Sequence, residues 1–243
     1  MNTATPFDSD PLTNQLLSTL SGTDWRRWFP LLEAVQLKQG DVLCESGRTL
    51  SHVTFPTTAV VSLLYLTRDG ASSEIAVVGN DGVVGISVLM GSSTMPCEAK
   101  VQSAGWGYRL PVHVFKDEIN RAGPILNMLL RYAQGFMAQV AQTALCNRFH
   151  SIDQQLCRRL LVGLDRGDDN ELAITHEAMS NLLGVRREGV TAAALKLQNA
   201  GVISYRRGHI SVLNRAHLEN RCCECYAHSK REFSRLLPMP MAA

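Results

Sequence analysis

The sequence predicts an α+β fold, with an amino-terminal antiparallel β-roll or jelly roll, one long helix, and a small carboxy-terminal domain of short helices and a hairpin. Three observations predict it. Short β-rich runs separated by glycine turns fill residues 35–110, a long helical pattern begins at Pro124, and two short helical patterns meet at Gly184. We expect the domains to comprise residues 1–123, 124–148, 149–220 and 221–243, the last being a tail.

Composition and length are those of an ordinary soluble protein. The chain has 243 residues, of which 45% are hydrophobic and 19% charged, and this is enough to bury a core. It has no apolar run approaching the roughly 20 residues that cross a bilayer, and the polar residues 1–10 contain no signal-peptide core. We therefore expect a cytoplasmic protein without a membrane partner. Its seven cysteines lack the spacing of a disulfide framework, so reduced thiols are expected.

The first part of the chain contains short elements only. Residues 12–32 read as short helices interrupted at Pro30. The runs "VTFPTTAVVSLLYL", "SEIAVVG" and "AKVQSAGWGYRL" then follow one another with turns between them and no helical pattern. Many short strands at this spacing are typical of an antiparallel barrel or jelly roll.

The stretch from Pro124 reads as one helix with an apolar stripe broader than a single contact needs. Such a helix commonly packs on its own domain with one side and on a twin helix with the other, and an ordinary buried core helix is the alternative. A second helix over residues 151–164 follows a short break. The predicted dimerisation contacts share helical spacing and are Leu126, Leu129, Ala133, Phe136 and Val140.

Residues 174–203 read as two helices joined by a tight turn. Thr175 is suited to be an N-cap, and Gly184 supplies the left-handed residue of the turn. The second helix starts near Arg186 and ends near Asn199, and "GVISYRRGHISVL" then predicts a strand, a turn and a second strand. This is the pattern of a winged helix-turn-helix, in which the second helix presents its first residues outwards.

Positive charge is concentrated in the same region. Up to His150 the chain has 11 Lys/Arg and 12 Asp/Glu, whereas the remainder has 13 and 10. A basic patch on a neutral body favours a polyanionic partner, although a merely solvated basic surface is the alternative. The residues that carry the excess are Arg186, Arg187, Lys196, Arg206, Arg207 and Arg215.

In a helix-turn-helix, the first turn of the second helix enters the major groove, and wing cations meet phosphates. The sequence therefore predicts double-stranded promoter DNA as the partner. The candidate DNA contacts lie on both helices and on the wing, and they are Thr175, His176, Arg186, Arg187, Glu188, Thr191, Lys196, Arg206 and Arg207.

These features resemble the Crp/Fnr family of bacterial transcription regulators over residues 12–220. The matching stretches are "LKQGDVLCESG", "GVVG" at 82–85, the long helix from Pro124, and "LLGVRREGV". The resemblance implies a cyclic-nucleotide-binding-type β-roll, a dimerisation helix and a winged helix-turn-helix. It also implies a homodimer on a palindromic operator, with RNA polymerase as a further candidate partner.

The resemblance also assigns roles within the second helix of the motif. It implies that Arg187 contacts guanine and that Glu188 accepts a hydrogen bond from cytosine. Arg186 stands at the position of the usual serine, and Ala192 replaces an arginine that is often found there. The base preference at one position of the half-site is therefore open.

The sensory region departs from the cyclic-AMP-binding members of that family, which hold the ribose and the cyclic phosphate with a Gly-Glu pair and an Arg-Ser pair. Here the place of the second pair holds Cys97 and Glu98, and a carboxylate repels a phosphate. We expect an effector other than cyclic AMP, of unknown identity, and predict no cofactor. The region expected to bind it comprises Gly82, Val83, Val84, Gly85, Cys97 and Glu98.

Metal and enzyme functions have weaker support. The first cysteine is Cys44, so the amino-terminal cluster of iron–sulfur sensors is missing, while His52 and His113 leave a haem-binding variety open. No catalytic motif is present, so no enzyme is predicted, and a scaffold or ligand-sensing module that does not bind DNA remains as the alternative. A carboxy-terminal cluster offers thiols and imidazoles for zinc but fits no standard spacing, so no metal site is predicted. Its members are His217, Cys222, Cys223, Cys225 and His228.

Overall fold

The computed structural model describes residues 10–167 and 170–237. The polar amino terminus up to residue 9, residues 168 and 169, and the end of the predicted tail from residue 238 lie outside the described residues. Within those ranges, no helix combines the length and the apolar character needed to cross a bilayer.

Two antiparallel sheets form the amino-terminal β-roll, as the sequence predicts. The strands are β1 (Glu33–Leu37), β2 (Val42–Cys44), β3 (His52–Pro56), β4 (Val60–Leu66), β5 (Ser72–Val78), β6 (Glu98–Ser103) and β7 (Gly105–Pro111). One sheet has the order β1-β7-β3 and the other the order β2-β6-β4-β5. The accompanying short helices are α1 (Gln15–Ser18), α2 (Gly22–Trp28) and 3-10 turns at Pro11–Thr13, Phe29–Leu31 and Ile86–Met90.

The two sheets enclose an apolar core. In β3, Val53 and Phe55 face inwards because successive side chains of a strand point to opposite faces. Trp28 of α2 enters the same core, with its ring centroid 5.8 Å from that of Phe55 and 6.0 Å from that of Phe115. The amino-terminal helices are therefore an integral part of this domain.

A 26-residue helix follows the β-roll, which confirms the predicted long helix. After α3 (Val112–Asn120), the helix α4 (Pro124–Phe149) starts with a proline, whose missing N–H would have no partner in the first turn anyway. One side of α4 packs on the β-roll through Leu129 and Tyr132.

The carboxy-terminal domain has its own apolar core. It comprises α5 (Ile152–Leu164), β8 (Glu171–Ala173), α6 (His176–Leu183), α7 (Arg187–Asn199), β9 (Ile203–Arg206) and β10 (His209–Val212), with β10 in the middle of the small sheet. Ser151 and Gln154 form a capping box at the start of α5. Fully buried side chains include Leu156, Leu160, Met179, Val190, Val202, Ile210 and Leu218.

The chain continues as helices where the sequence analysis predicted a tail. α8 (Arg215–Arg221) is followed by α9 (Glu224–Leu236), which folds back on α4 so that Phe233 and Leu236 lie over Gly135. The predicted tail over 221–243 is therefore wrong for its described part. The reason is that Tyr226, Phe233 and Leu236 recur at helical spacing and bury one face.

Two arginines join the carboxy-terminal domain to the β-roll. Arg159 Nε lies 2.5 Å from Glu74 Oε1, and both side chains are buried. Arg166 Nη2 lies 2.6 Å from Asp81 Oδ2 and donates to Gln139 Oε1 on α4 at 3.1 Å. Because a buried charge without its partner is strongly unfavourable, these ion pairs favour this one placement of the two domains.

Candidate nucleic-acid interface

The turn between α6 and α7 is built as the sequence predicts. The Thr175 hydroxyl accepts a hydrogen bond from the backbone N–H of Ala178 at 3.1 Å and so caps α6. Gly184 adopts φ +65°, a left-handed conformation that is unfavourable for residues with a β-carbon. The helix α7 then begins at Arg187 with Arg186 as its N-cap residue.

The inner face of α7 is made of small and medium apolar residues. Val190, Ala193, Ala194 and Leu197 are buried against the domain core. The small alanine side chains allow α7 to lie close to the rest of the domain core. Because this face is packed, the direction of α7 after the turn is fixed by the packing.

The outer face of α7 carries the predicted base-reading residues. At 100° per residue, Arg187, Thr191 and Leu195 lie within about 80° of one another around the helix, with Glu188 next to them. Arg186, Arg187 and Glu188 are exposed. Among the described residues, no carboxylate pairs with either arginine. The guanidinium groups at this helix start are therefore available to an anionic partner.

His176 does not present its ring freely to solvent. Its ring stacks on that of Tyr205 in β9, with the centroids 4.0 Å apart, and its Nδ1 lies 3.2 Å from Thr191 Oγ1. Burial, followed by the positive charge of Arg187, lowers the pKa of the imidazole. His176 therefore connects α6, α7 and the wing. This placement suits a residue that positions these elements relative to one another, whereas the sequence predicted a contact with DNA.

Lys196 and Arg215 do not belong to the predicted basic patch, because each pairs with a carboxylate elsewhere on the surface. Lys196 stands about 180° around α7 from Arg187, and its ammonium lies 2.8 Å from Asp153 Oδ2 at the start of α5. Arg215 pairs with Asp165 and Glu219. The prediction that Lys196 shares one surface with Arg187 is wrong, because nine residues along a helix lead to its opposite side.

The wing confirms the predicted hairpin. β9 and β10 pair in antiparallel register with Arg206 opposite His209. The turn residues Arg207 and Gly208 have φ of 49° and 85°, as two-residue hairpin turns require. Arg206 and Arg207 are exposed at the tip. The hairpin thus places the cations Arg206 and Arg207 near Thr175, where the helix-turn-helix starts.

Two further features of α7 bear on the interface. The Thr191 hydroxyl donates to the Arg187 carbonyl at 3.0 Å, so its hydrogen is already used. Leu195 is 51% exposed on the outer face, and the sequence analysis did not single it out. Its position eight residues after Arg187 was the available signal, because that spacing returns to nearly the same face.

The predicted effector region is filled by protein. Val83, Val84 and Cys97 are buried in the core of the β-roll, where burial raises the pKa of Cys97 to about 11. The Tyr132 hydroxyl donates to the Val83 carbonyl at 3.2 Å, and a β-carbon at Gly82 would overlap the Tyr132 ring. The prediction that these residues line a binding region is not supported by this packing, because a ligand here must first displace Tyr132. Gly85 is buried with them at φ +99°, and Glu98 is half-exposed at the start of β6.

The predicted dimerisation contacts lie on one face of α4, and that face packs mainly on its own domain. Leu129 and Ala133 are buried in the core of their own domain, and Phe136 and Val140 pack against the same core. Leu129 and Ala133 are thus covered by their own domain, whereas Leu126, Phe136 and Val140 are half-buried, so the predicted set is not the most exposed side of the helix. The outer face instead exposes Leu130 by 51%, Met137 by 58% and Leu145 by 43%, with Ala141 exposed between the last two.

Comparison with known proteins bears on the carboxy-terminal domain first. Residues 154–221 match the family model of the Crp-like helix-turn-helix domain. These residues are therefore similar to a Crp-like helix-turn-helix domain. The matched range includes α6, the Gly184 turn, α7 and the wing, and it starts inside α5. No curated protein matches the chain by sequence.

Most of the chain, including residues 154–221, is similar in fold to solved structures of bacterial regulators. A structure from Eubacterium rectale, assigned to the Crp/Fnr transcriptional regulators, is 19% identical, with a TM-score of 0.68 over 86% of this chain and 97% of that one. FixK2 from Bradyrhizobium japonicum is 15% identical, with a TM-score of 0.66 over 79% and 98%. CLP of Xanthomonas campestris, a c-di-GMP-responsive global regulator, is 13% identical, with a TM-score of 0.60 over 79% and 99%. The comparisons therefore show the fold of such regulators for the chain and a match to the Crp-like helix-turn-helix domain for residues 154–221.

Proposed function

We propose that this protein is a sequence-specific DNA-binding transcription regulator that acts as a homodimer on a palindromic operator. The observation that carries the proposal is the first turn of α7. It presents exposed Arg186, Arg187 and Glu188, without carboxylate partners among the described residues, on a helix whose direction is fixed by a buried face. We propose no catalytic role.

The chemistry of this turn suits the edges of base pairs. A guanidinium can donate two hydrogen bonds to guanine O6 and N7, and a carboxylate can accept one from cytosine N4. Arg187 and Glu188 are consecutive, so they would reach neighbouring bases. Thr191 and Ala192 follow on the exposed side and are small, which leaves room for the groove wall.

The wing would add contacts that carry no sequence information. Arg206 and Arg207 stand on a hairpin tip, where the DNA backbone is the expected neighbour. Thr175 and Arg186 lie at the starts of α6 and α7, and backbone N–H groups at helix starts favour phosphate oxygens.

The exposed apolar stripe of α4 supports dimerisation. Leu130, Met137, Ala141 and Leu145 recur at intervals of seven, four and four residues along one side of the helix. An apolar stripe of this length favours a second copy of α4 as its cover. Two chains related in this way would present two α7 helices to two half-sites.

The chemical identity of the effector is not assigned. We propose that it differs from cyclic AMP, because Glu98 and the packed segment around Val83 offer no cation for a phosphate. CLP responds to c-di-GMP, which shows that the fold accommodates other signals. A role for RNA polymerase as a partner also stays a prediction.

The first prediction concerns base reading. We expect Arg187→Ala to weaken binding to an operator selected from random duplex DNA by about 1–3 kcal/mol per half-site and to relax preference at one base pair. Lys196→Ala is the matched control, since it removes the same charge from the opposite side of α7. Fluorescence anisotropy with the selected and a scrambled duplex, at two salt concentrations, measures both.

The same titrations distinguish this proposal from its alternatives. Arg206→Ala should weaken binding to both duplexes alike and reduce the slope of affinity against salt by about one per half-site, which is about two for the dimer. Equal losses for both duplexes with Arg187→Ala would contradict base reading. If the wild-type chain retains no duplex from the random pool, a scaffold or sensing module is the better reading.

A further inference from the structure

Four metal-ligating side chains meet where α9 begins beside the end of α4. Cys146 lies in the last turn of α4, and His150 directly follows that helix. Cys223 is the N-cap residue of α9, and Cys225 lies in its first turn. The fold brings together two pairs of residues that are more than 70 positions apart in the chain. Three of the four side chains are buried, and His150 is half-buried.

The distances between the ligand atoms fit a tetrahedral metal. Cys146 Sγ lies 3.6 Å from Cys223 Sγ, and Cys225 Sγ lies 3.4 Å from His150 Nδ1. All four ligand atoms lie within 4.8 Å of one another. In a tetrahedral zinc site, bond lengths of about 2.3 Å to sulfur and 2.0 Å to nitrogen place two sulfurs about 3.8 Å apart, and sulfur and nitrogen about 3.5 Å apart. Only a small contraction of the longest separations is needed.

The surroundings of His150 orient it as a ligand. Its Nε2 lies 3.3 Å from the Glu224 carboxylate, while its Nδ1 faces Cys225. A carboxylate that accepts the Nε2 hydrogen leaves Nδ1 as the atom with a free lone pair, and metal-binding histidines usually have such a partner. The Gln142 amide also donates to Cys225 Sγ at 3.0 Å.

We propose that Cys146, His150, Cys223 and Cys225 bind one zinc ion per chain in a closed tetrahedral site. Four protein ligands leave no open position for water or substrate, so the site is structural. Binding releases the three thiol protons to solvent, and three thiolates with one imidazole then hold the ion.

The site would hold the junction between the two domains. Two ligands come from the end of α4, next to the break before α5, and two come from the start of α9. α9 is also held at two other points, since the Tyr226 hydroxyl in its first turn donates to Asp165 Oδ2 at 2.8 Å and Phe233, nearer its end, packs on α4. A metal ion would add a third attachment, at the start of the helix. This inference does not depend on DNA binding.

The structure also separates these four residues from the other cysteines and histidines nearby. Cys222 is half-buried beside Cys223 but is not part of the four-residue group. Cys157 is buried in α5 outside the group. His217 accepts from Arg221 Nε at 3.2 Å, and His228 is exposed. The sequence-based cluster and the structural cluster therefore predict different effects of substitution.

The test is the metal content of the full chain, purified under reducing conditions and measured by mass spectrometry. We expect about one zinc per chain, as for a closed four-ligand site. Cys146→Ser and His150→Gln should lose most of it, whereas Cys157→Ser, Cys222→Ser and His217→Gln should retain it. Glu224→Gln should weaken zinc affinity about 10–100-fold in competition with a chromogenic chelator.

Cobalt substitution provides a readout that does not depend on yield or folding of the cysteine variants. Co²⁺ added to metal-free wild type should give thiolate charge-transfer bands and intense tetrahedral ligand-field bands, and His150→Gln should shift the ligand-field bands. Wild type without bound metal that also fails to give these bands would overturn the proposal. Retention of zinc by both single variants, Cys146→Ser and His150→Gln, would also overturn it. So would a Cys146–Cys223 disulfide in metal-free protein that was purified under reducing conditions.

Discussion

At the scale of single residues, the candidate DNA interface is defined by the cationic side chains that do not pair with a carboxylate in the described part of the chain. Arg187 and Lys196 both belong to α7 and look equivalent in sequence, yet Lys196 pairs with Asp153, whereas Arg187 pairs with no carboxylate in the described part of the chain. Helical spacing alone separates their faces, but the partner of Lys196 lies on α5 and could not be read from the sequence. The stacking of His176 on Tyr205 could not be read from the sequence either, because Tyr205 lies on the wing.

Gly184 permits a prediction about stability. We expect Gly184→Ala to lower the free energy of unfolding by about 1–2 kcal/mol, since a β-carbon is unfavourable at φ +65°. Gly123→Ala is the control, because φ is −90° there and open space surrounds a β-carbon. Urea unfolding followed by circular dichroism compares the two. Equal midpoints for both variants would contradict the strain argument.

The effector region leads to a prediction about cyclic AMP. Glu98 brings a negative charge, and Tyr132 occupies the space next to Gly82. We therefore expect titration calorimetry to show no binding tighter than about 10 μM, which corresponds to a standard free energy of about −7 kcal/mol. A saturable isotherm with a lower dissociation constant would show that the packed segment opens for this nucleotide.

At the scale of elements, the sequence predicted which helices exist better than which way they face. The 26-residue α4 was recognised from periodicity, but its apolar residues surround most of its circumference, so no single face could be chosen. The β-roll and α9 determine which face of α4 is exposed, because they cover Leu129 and Ala133 and leave Leu130 and Met137 exposed. α9 itself was missed because cysteines and charges dominate its sequence. The Gly184 turn and the wing were predicted correctly, since they depend on local turn chemistry.

The exposed stripe of α4 predicts how the chain assembles. We expect wild type to be a dimer at micromolar concentration and Leu130→Glu to be a monomer, because a carboxylate in the apolar contact would be buried without a partner. Leu66→Glu is the matched control, as Leu66 is also a leucine with 51% exposure but lies on β4. Light scattering gives the mass. A dimer in both variants would place the contact elsewhere.

At the scale of the whole molecule, the two domains are joined by buried charge as well as by the chain. Arg159 enters the β-roll to reach Glu74, and Arg166 reaches Asp81 and Gln139. The order of the domains followed from the sequence. Their contact did not, because each ion pair joins residues 85 positions apart and nothing local marks either partner. The four-residue cluster escaped prediction for the same reason.

The Arg159–Glu74 pair predicts a large effect from a small change. Glu74→Gln leaves a buried guanidinium without its counter-charge, and we expect it to destabilise the protein by about 3–5 kcal/mol. Glu45→Gln is the control, since the exposed pair of Glu45 with Arg48 should contribute about 0–1 kcal/mol. Urea midpoints measure both. Similar midpoints would mean that the domains are held by apolar contacts alone.

The return of α9 to α4 has a consequence for the timing of folding in the cell. The α4 surface under Phe233 and Leu236 is synthesised before α9, the helix that covers it. With 87 residues between the ends of these two helices, synthesis at about 5–20 residues per second leaves that surface bare for roughly 4–17 s. The nascent chain therefore exposes this apolar surface to chaperones until α9 has been synthesised.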